Sequence, residues 1–229
     1  MSGKKISREK IIEAFLFTAF DKSNGGTSLA DIADYLHVKK ASLYNHFDSR
    51  DAIVEAVTEY SGRYLARIMF TPPDLKNTAQ KYSPQTLLKG VVLRYFKLFE
   101  RDPVYQIYTF LQSEKYFNYR ALEILNSQKE RVISGTILML QYQALFRKIR
   151  SRPSFGPAAV WFANAVMQML DTYLAERKET IRQNPESGAG SLFALPTDDR
   201  TITQVSILID RYTELLGLLP AAPAASVPQ

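Results

Sequence analysis

A run of hydrogen-bonding side chains without a single carboxylate lies between residues 37 and 47. Phosphates repel carboxylates, and base edges offer donors and acceptors, so a short helix with such a surface suits the major groove of DNA. The polar positions are Lys39, Lys40, Ser42, Tyr44, Asn45 and His46. For two lysines alone a solvated helix face would be the simpler interpretation, but the whole set predicts contact with DNA. We call residues 39–46 the reading segment.

Two short helices around a tight turn would position these side chains. The first starts at Ser28, whose spacing from Asp31 gives the S-x-x-D signal of a capped helix start. Apolar residues at i, i+3, i+4 and i+7 then predict one buried face, and a second apolar set follows the turn. These positions are Leu29, Ile32, Ala33 and Leu36, then Val38, Leu43 and Phe47. The pattern predicts a helix-turn-helix with the polar residues on its outer face.

Composition argues against several kinds of catalytic site. The chain has 229 residues, 46% of them hydrophobic, which is ample for a buried core. The absence of cysteine excludes disulfides, thiolate nucleophiles and cysteine-bound zinc. Both histidines, His37 and His46, lie in the stretch just described, and no carboxylate cluster indicates a metal site. We therefore expect no enzymatic activity, no metal and no cofactor.

The charge of the chain is compatible with a nucleic-acid partner. The formal net charge is +6, but the excess is spread along the sequence. A basic arm formed by Lys4, Lys5 and Arg8 precedes the first helix, either as a DNA contact or as a disordered, solubilising segment. No apolar run resembles a signal peptide or is long enough to span a bilayer, so we expect a cytoplasmic protein without a membrane partner.

Helical patterns cover the rest of the sequence, and no strand is predicted. A first helix over about 8–22 precedes the two short ones. A fourth helix from 49 to about 70 would link the reading segment to the remaining chain. Residues 71–83 are predicted to be a loop, and five further helices follow. We expect an all-α protein of about nine helices, with a DNA-binding domain at 1–48, a larger ligand-binding and dimerisation bundle at 49–219, and a flexible tail at 220–229.

Two runs in the helix-turn-helix stretch resemble the tetracycline-repressor (TetR) family of bacterial transcriptional regulators. They are T-S-x-x-x-I-A-x-x-L-x-V from Thr27 to Val38 and L-Y-x-H-F-x-S-R-D from Leu43 to Asp51. The predicted helix count, with a variable C-terminal part, also matches the family. The resemblance implies a three-helix DNA-binding domain that works in the bacterial cytoplasm, at the nucleoid.

Carrying the family's motif over residue by residue assigns the DNA contacts. Ser28 and Arg50 fall where the family contacts backbone phosphate, and the reading segment falls on its recognition helix. A packing role for Tyr44 and a structural role for His46 remain alternatives. The expected DNA-binding residues are Ser28, Lys39, Lys40, Ser42, Tyr44, Asn45, His46 and Arg50.

Three positions depart from the family's pattern at the turn that sets the angle of the reading segment. His37 stands where the family usually has glycine, and histidine can adopt a positive φ at a cost of about 1 kcal/mol. Lys39 and Ala41 stand where serine or threonine and glycine are common. Lys39 removes a helix cap but adds positive charge beside the DNA.

The aromatic residues of the C-terminal part predict a small-molecule site. An aromatic stripe at helical spacing is usually core, but buried tyrosine hydroxyls seek partners, and apolar walls with a few hydroxyls are typical of ligand pockets. The candidate lining residues are Phe99, Tyr105, Tyr108, Tyr119, Tyr142, Trp161 and Met167. Because few charged residues interrupt these segments, we expect an apolar or aromatic effector.

The last two helices carry more apolar surface than one chain needs to close its core. The alternatives are a closed monomer core and a four-helix interface between two copies, and the family resemblance implies the second. The candidate interface residues are Ala159, Ala163, Val205, Leu208, Tyr212 and Leu215.

These expectations combine into one function. The chain would be a homodimeric repressor that binds a palindromic operator in double-stranded DNA and is released by a small-molecule effector. The alternative is a DNA-binding factor of the same fold that no small ligand gates, such as an activator, an architectural protein or a partner-controlled factor.

Overall fold

Helices dominate the part of the chain that the structure describes. The computed structural model describes residues 6–184 and 199–217, so the predicted tail at 220–229 lies outside them. The α-helices are α1 (Arg8–Gly26), α2 (Leu29–Leu36), α3 (Arg50–Ala66), α4 (Leu75–Lys81), α5 (Pro84–Phe99), α6 (Val104–Glu114), α7 (Tyr119–Leu145), α8 (Gly156–Gln183) and α9 (Asp199–Leu215), with a 3₁₀ helix at Lys40–Ser42. The predicted all-α fold with an N-terminal helix-turn-helix is confirmed.

Helix α1 begins at a side-chain cap and ends at a kink. The Ser7 hydroxyl oxygen accepts a hydrogen bond from the Lys10 amide at 3.3 Å, which satisfies one of the free donors at a helix start. The backbone leaves the helical region at Ser23, with φ of 67°, although helical hydrogen bonding continues to Gly26. The predicted end of this helix near residue 22 therefore matches the point where regular geometry stops.

Aromatic side chains fill the space between α1 and α6, and α6 also packs against α3. The rings of Phe15 and Phe110 meet edge to face with centroids 6.0 Å apart, and those of Phe20 and Tyr105 at 4.9 Å. Edge-to-face pairs contribute about 0.5–1.5 kcal/mol beyond the area they bury. Helix α6 therefore shares its core with α1.

Helix α4 lies in a segment that the sequence predicts to be a loop, residues 71–83. Its last carbonyls are held from outside the helix, because the Lys148 ammonium donates to the carbonyl oxygens of Ala79, Gln80 and Tyr82 at 2.7–2.8 Å. The Gln143 amide also donates to Ala79 at 3.3 Å. A seven-residue helix is marginal alone, so contacts about 70 residues away along the chain decide its existence.

Backbone contacts divide the chain into two units. Unit 1 contains the described residues up to Met69, Phe96–Glu130 and those from Arg177 to 184, and unit 2 contains Phe70–Tyr95, Arg131–Glu176 and residues 199–217. All of α3, the predicted link between domains, belongs to unit 1 and ends at Ala66. The functional boundary near residue 48 stays a prediction.

The C-terminal end of α8 is fastened inside unit 1. The Lys178 ammonium donates to the Phe20 carbonyl and lies 4.5 Å from the centre of the Phe20 ring. Burial lowers the pKa of Lys178, and the nearby Asp21 carboxylate opposes that shift. Arg177 and Glu100 form an ion pair at 3.5 Å in which both side chains are largely buried. Helix α8 thus contacts the end of α1.

Neither a membrane-spanning helix nor a metal-binding group of side chains is found among the described residues. Within residues 6–184 and 199–217, none is both long and apolar enough to cross a bilayer. Over the same ranges, no three or more histidine, aspartate or glutamate side chains are grouped so that they could hold a metal ion.

Candidate nucleic-acid interface

The start of α2 is held by a reciprocal set of hydrogen bonds. The Ser28 hydroxyl oxygen accepts from the Asp31 amide at 3.2 Å, and the Asp31 carboxylate accepts from the Ser28 amide at 2.7 Å. The Ser28 hydroxyl also donates to that carboxylate at 2.7 Å, and Lys22 adds an ion pair at 2.5 Å. These bonds, first of all the one from Lys22, hold the pKa of Asp31 well below its usual range. A phosphate on Ser28 would compete with this carboxylate for the hydroxyl.

The turn after α2 has the geometry that the sequence predicts for it. His37 adopts φ of 56° and ψ of 45°, the left-handed conformation. The His37 amide donates to Asp34 at 3.1 Å, and the Val38 amide donates to Ala33 at 2.9 Å. This pair of bonds is the Schellman ending of a helix, which needs a left-handed residue after the last turn. His37 thus takes the left-handed conformation that glycine usually supplies at this turn.

The helical part of the reading segment is shorter than predicted. The 3₁₀ helix covers Lys40–Ser42 only, and a hydrogen-bonded turn continues to His46, whose amide donates to Leu43 at 2.9 Å. The prediction of a regular helix over 39–46 is thus wrong in detail. The side chain of Lys39 makes no cap bond, and such short helices often close with i to i+3 bonds.

Two buried residues fix the inner face of the reading segment. Leu43 and Phe47 are 1% and 3% exposed, as expected for core positions. The Tyr44 side chain between them is 50% exposed. Lys39, Lys40 and Asn45 are also exposed, while Ser42 and His46 are half-buried. The structure therefore brings six predicted DNA-binding side chains to one short segment, and most of them reach solvent.

Arg8 lies against the end of this segment. One of its guanidinium nitrogens, Nη1, donates to the His46 carbonyl at 2.7 Å, and the guanidinium carbon is 4.1 Å from the centre of the Phe47 ring. The sequence predicts a basic arm of Lys4, Lys5 and Arg8. Those two lysines lie outside the described residues, whereas Arg8 is the first residue of α1.

The Arg50 side chain makes its hydrogen bonds with residues at the end of α1. Its Nε donates to the Thr27 carbonyl at 2.8 Å, and its Nη2 donates to the Asn24 side-chain oxygen at 2.7 Å and to the Asn24 carbonyl. The guanidinium also lies 5.7 Å from the Phe15 ring centre. Arg50 therefore joins the start of α3 to the end of α1, with two of its three nitrogens already committed to protein acceptors.

The predicted ligand-binding residues are spread over both units. Phe99, Tyr105 and Tyr108 are buried in unit 1, and the rings of Phe99 and Tyr108 meet edge to face at 5.4 Å. Tyr119 is 74% exposed, so it lines no interior site in the described chain. Tyr142, Trp161 and Met167 belong to unit 2, where Trp161 is 52% exposed. A common lining formed by these residues stays a prediction.

The predicted interface residues of α8 and α9 are mostly core. The four that the unit itself buries are Ala159, Ala163, Val205 and Tyr212. Leu208 is half-buried, and Leu215 is 66% exposed. The buried positions pack inside the unit itself, and the interface between two copies stays a prediction. The other exposed apolar side chains on these helices are Val160, Trp161 and Ile207.

Comparison with known proteins agrees with this geometry. The family model described as "Bacterial regulatory proteins, tetR family" matches residues 20–57, which contain the capped helix start, the left-handed turn and the reading segment. Residues 20–57 therefore match the DNA-binding part of the TetR family. The motifs from Thr27 to Val38 and from Leu43 to Asp51 suggest this resemblance from the sequence.

Curated relatives match about half of this chain or less. The biofilm operon icaADBC HTH-type negative transcriptional regulator IcaR of Staphylococcus aureus is 34% identical over 94 residues, 41% of this chain and 48% of that protein. IcaR of Staphylococcus epidermidis is 31% identical over 123 residues, 53% and 58% of the two chains. The chain spans about half the length of these curated relatives.

Solved structures share the fold at low sequence identity. A transcriptional regulator from Rhodococcus sp. RHA1 has a TM-score of 0.61 at 13% identity, covering 94% of this chain and 100% of that one. A TetR-family regulator from Streptomyces coelicolor gives 0.59 at 14%, covering 91% and 79%. AibR, solved with isovaleryl coenzyme A and operator DNA, gives 0.53 at 15%, covering 93% and 99%. These likenesses establish the fold.

Proposed function

We propose that this chain is a sequence-specific DNA-binding transcriptional regulator of the TetR family, most simply a repressor. The observation that carries the proposal is the outer face of the reading segment, where Lys39, Lys40, Tyr44 and Asn45 are exposed and no residue from 37 to 47 is acidic. A capped α2 and the left-handed His37 hold this face on a buried core. A DNA partner would locate the protein in the bacterial cytoplasm, at the nucleoid.

The side chains divide into two kinds of contact. Lys40, Ser42 and Asn45 would contact base edges, because lysine and asparagine can donate to acceptors in the major groove. Lys39, Tyr44 and His46 would contact phosphates, which position the protein without reading sequence. Ser28 would reach a phosphate only in exchange for its bond to Asp31.

A homodimer and a palindromic operator belong to the same proposal. Two copies related by a two-fold axis would place their reading segments in successive major grooves, about one helical turn apart or somewhat more. The exposed apolar residues of α8 and α9 supply candidate interface area, and they include Trp161, Ile207 and Leu215. A stable dimer buries roughly 1,200–2,000 Å² in total.

Regulation by a small molecule is the third part of the proposal. Unit 2 buries two polar atoms that have no hydrogen-bond partner among the described residues, Gln143 Oε1 and the Tyr212 hydroxyl. Buried polar atoms are normally satisfied by protein, ordered water or ligand. The aromatic surroundings of Tyr212, which contacts the rings of Phe162 and Trp161, support an apolar or aromatic effector.

The known functions of relatives are compatible with this proposal. IcaR is named a negative transcriptional regulator, and AibR was solved with both an acyl coenzyme A and operator DNA. In this chain α6 packs against α1 and α3, so a shift of α6 would reach the helix that carries Arg8. A coupling free energy of roughly 1–3 kcal/mol would change DNA affinity about 5- to 150-fold.

Selection of bound sequences from random duplex DNA by the full chain tests the function. We expect enrichment of a palindrome, and Lys40→Ala should then relax the preference at one base position per half-site. The discrimination lost should be about 1–3 kcal/mol, the value of one good base contact. Lys76→Ala is the matched control, because Lys76 is an exposed lysine on α4.

Two results would contradict the proposal. Absence of any enriched sequence, together with no retardation of duplex DNA at low salt, would remove DNA binding as the function. Equal effects of Lys40→Ala and Lys76→Ala would remove the reading segment from the interface while leaving DNA binding intact.

A further inference from the structure

We propose that Arg8 is a positioning residue that fixes the exit of the reading segment, and that it does not act as a phosphate contact. The inference rests on the proposed function, because it concerns the side chains that would read DNA. It assigns to Arg8 a role different from that of a basic arm. The role follows from three observations about residues 39–47.

First, the reading segment cannot hold its own shape. Its helical part spans only Lys40–Ser42, and the side chain of Lys39 does not cap it. Helix formation requires a costly first turn, so a segment of this length is not stable alone. Its geometry must therefore come from contacts with other parts of the domain.

Second, Arg8 supplies such a contact where the turn ends. The Arg8 Nη1 donates to the carbonyl of His46, which directly follows Tyr44 and Asn45, at 2.7 Å. The guanidinium also covers the face of the Phe47 ring at 4.1 Å. Phe47 is almost fully buried. One side chain thus holds both the last carbonyl of the reading segment and the aromatic residue that anchors it.

Third, Arg8 itself stands on a rigid base. It is the first residue of α1, and the Ser7 cap fixes the start of this helix. The next turns of α1 bury Ile11, Ile12 and Phe15 completely or nearly so. The backbone position of Arg8 is therefore set by the core, and its side chain reaches from this fixed point to the reading segment.

The hydrogen bond from Arg8 to the His46 carbonyl should affect specific and non-specific DNA binding differently. Loss of Arg8 should free the backbone at 44–47, so that Asn45 samples positions from which it misses its base edge, whereas Tyr44 and His46 can still reach one of the phosphates that line any duplex. Affinity for the selected palindrome should fall, while affinity for unrelated DNA, which depends on phosphates alone, should hardly change. A phosphate contact predicts the opposite, an equal loss on all sequences.

The test compares Arg8→Ala, Arg8→Lys and Phe47→Leu with Lys10→Ala as the control, since Lys10 is an exposed lysine in the same turn. Each full-length variant is titrated against the selected palindrome and unrelated DNA over a range of salt. We expect Arg8→Ala to lose about 5- to 20-fold on the palindrome only. Phe47→Leu, which removes the ring but no charge, should show the same selective loss, and Arg8→Lys should recover only part of it.

The slope of log affinity against log salt separates the two roles. It should be unchanged in Arg8→Ala, whereas a lost phosphate contact would lower its magnitude by about 0.9. A lowered slope with full recovery by Arg8→Lys would overturn the positioning role and leave DNA binding standing.

Amide hydrogen exchange of the free protein gives a readout that needs no DNA. Residues 43–47 should exchange faster in Arg8→Ala and Phe47→Leu than in the wild-type chain, but not in Lys10→Ala. If the wild-type chain binds no DNA but this pattern appears, the proposed function fails and the positioning contact stands. Unchanged exchange in Arg8→Ala would overturn the inference whatever the DNA result.

Discussion

The guanidinium of Arg50 connects the start of α3 to the end of α1 through hydrogen bonds. It donates to Asn24 and Thr27, which flank the two glycines at the kinked end of α1. Thr27 is itself buried, and its hydroxyl donates to the Ser23 carbonyl at 2.7 Å. Arg50 therefore stabilises an irregular stretch of backbone that has few helical bonds of its own.

Substitution Arg50→Ala should lower the free energy of unfolding of the full chain. Three hydrogen bonds to a half-buried charged group would be lost, so we expect about 2–3 kcal/mol, measured by urea denaturation. Arg50→Lys should recover little of this, because one ammonium cannot reproduce the planar fork. Arg63→Ala, at an exposed position of the same helix, is the control, and an equally small loss in both alanine variants would contradict the role of Arg50.

At the scale of one element, α2 depends on the hydrogen bonds at its start. Ser28, Asp31 and Lys22 form a connected set in which the Asp31 carboxylate accepts three bonds and the Ser28 hydroxyl oxygen accepts one from the Asp31 amide. The pKa of Asp31 is lowered in the folded chain, first by Lys22 and then by Ser28. The stabilisation from this charge is therefore present above the unfolded pKa of about 3.9 and is lost as the pH falls below it.

The pH dependence of this element can be measured with Asp31→Asn. At pH 7 the variant should melt at a lower temperature than the wild-type chain, because the acceptor of three bonds has lost its charge. The difference between the two melting temperatures should shrink as the pH falls below about 4, because the Asp31 carboxylate of the unfolded wild-type chain is protonated there while that of the folded chain stays charged. Asp34→Asn, on the same helix but exposed, serves as control; a pH-independent difference for Asp31→Asn would contradict the assignment.

Elements whose stability is local were the ones that could be predicted. The α2 helix shows its cap and its apolar face in adjacent residues, and His37 marks its left-handed end. Helix α4 could not be predicted, because Lys148 and Gln143 hold its end from residues far along the chain. The contact of Arg8 with His46 spans 38 residues, and no pattern in the sequence links them. Exposure of Tyr44 was predictable, whereas the role of each arginine was not.

For the whole molecule, the proposed homodimer would require an exposed apolar surface on each copy. The exposed apolar residues Val160 and Trp161 on α8, with Ile207 and Leu215 on α9, all belong to unit 2. Apolar side chains of this size at the surface mark interaction sites when they are grouped. Burial of Ala159, Ala163 and Val205 inside the unit leaves these four as the candidates for the interface.

The association can be followed with the intrinsic fluorescence of Trp161, the only tryptophan of the chain. We expect a species of twice 26.0 kDa by light scattering, and a shift of tryptophan emission to longer wavelength on dilution, as Trp161 returns to water. Ile207→Glu should give the monomer and the shifted emission at all concentrations.

The matched control for this substitution is Leu138→Glu, which introduces the same charge at an exposed leucine of α7. It should leave both the mass and the emission unchanged. A wild-type mass of 26.0 kDa at micromolar concentration would refute the homodimer, and dissociation by both variants would move the interface away from α8 and α9.

The shortness of the 3₁₀ helix at Lys40–Ser42 limits how this protein can be re-engineered. A recognition element with its own helical stability can be grafted into another scaffold as a peptide. Here the scaffold must also bring an arginine to the exit carbonyl and an aromatic ring beneath it, as Arg8 and Phe47 do. The transferable module is therefore the whole span from α1 to the start of α3, and new DNA preferences are best introduced by replacing exposed side chains within it.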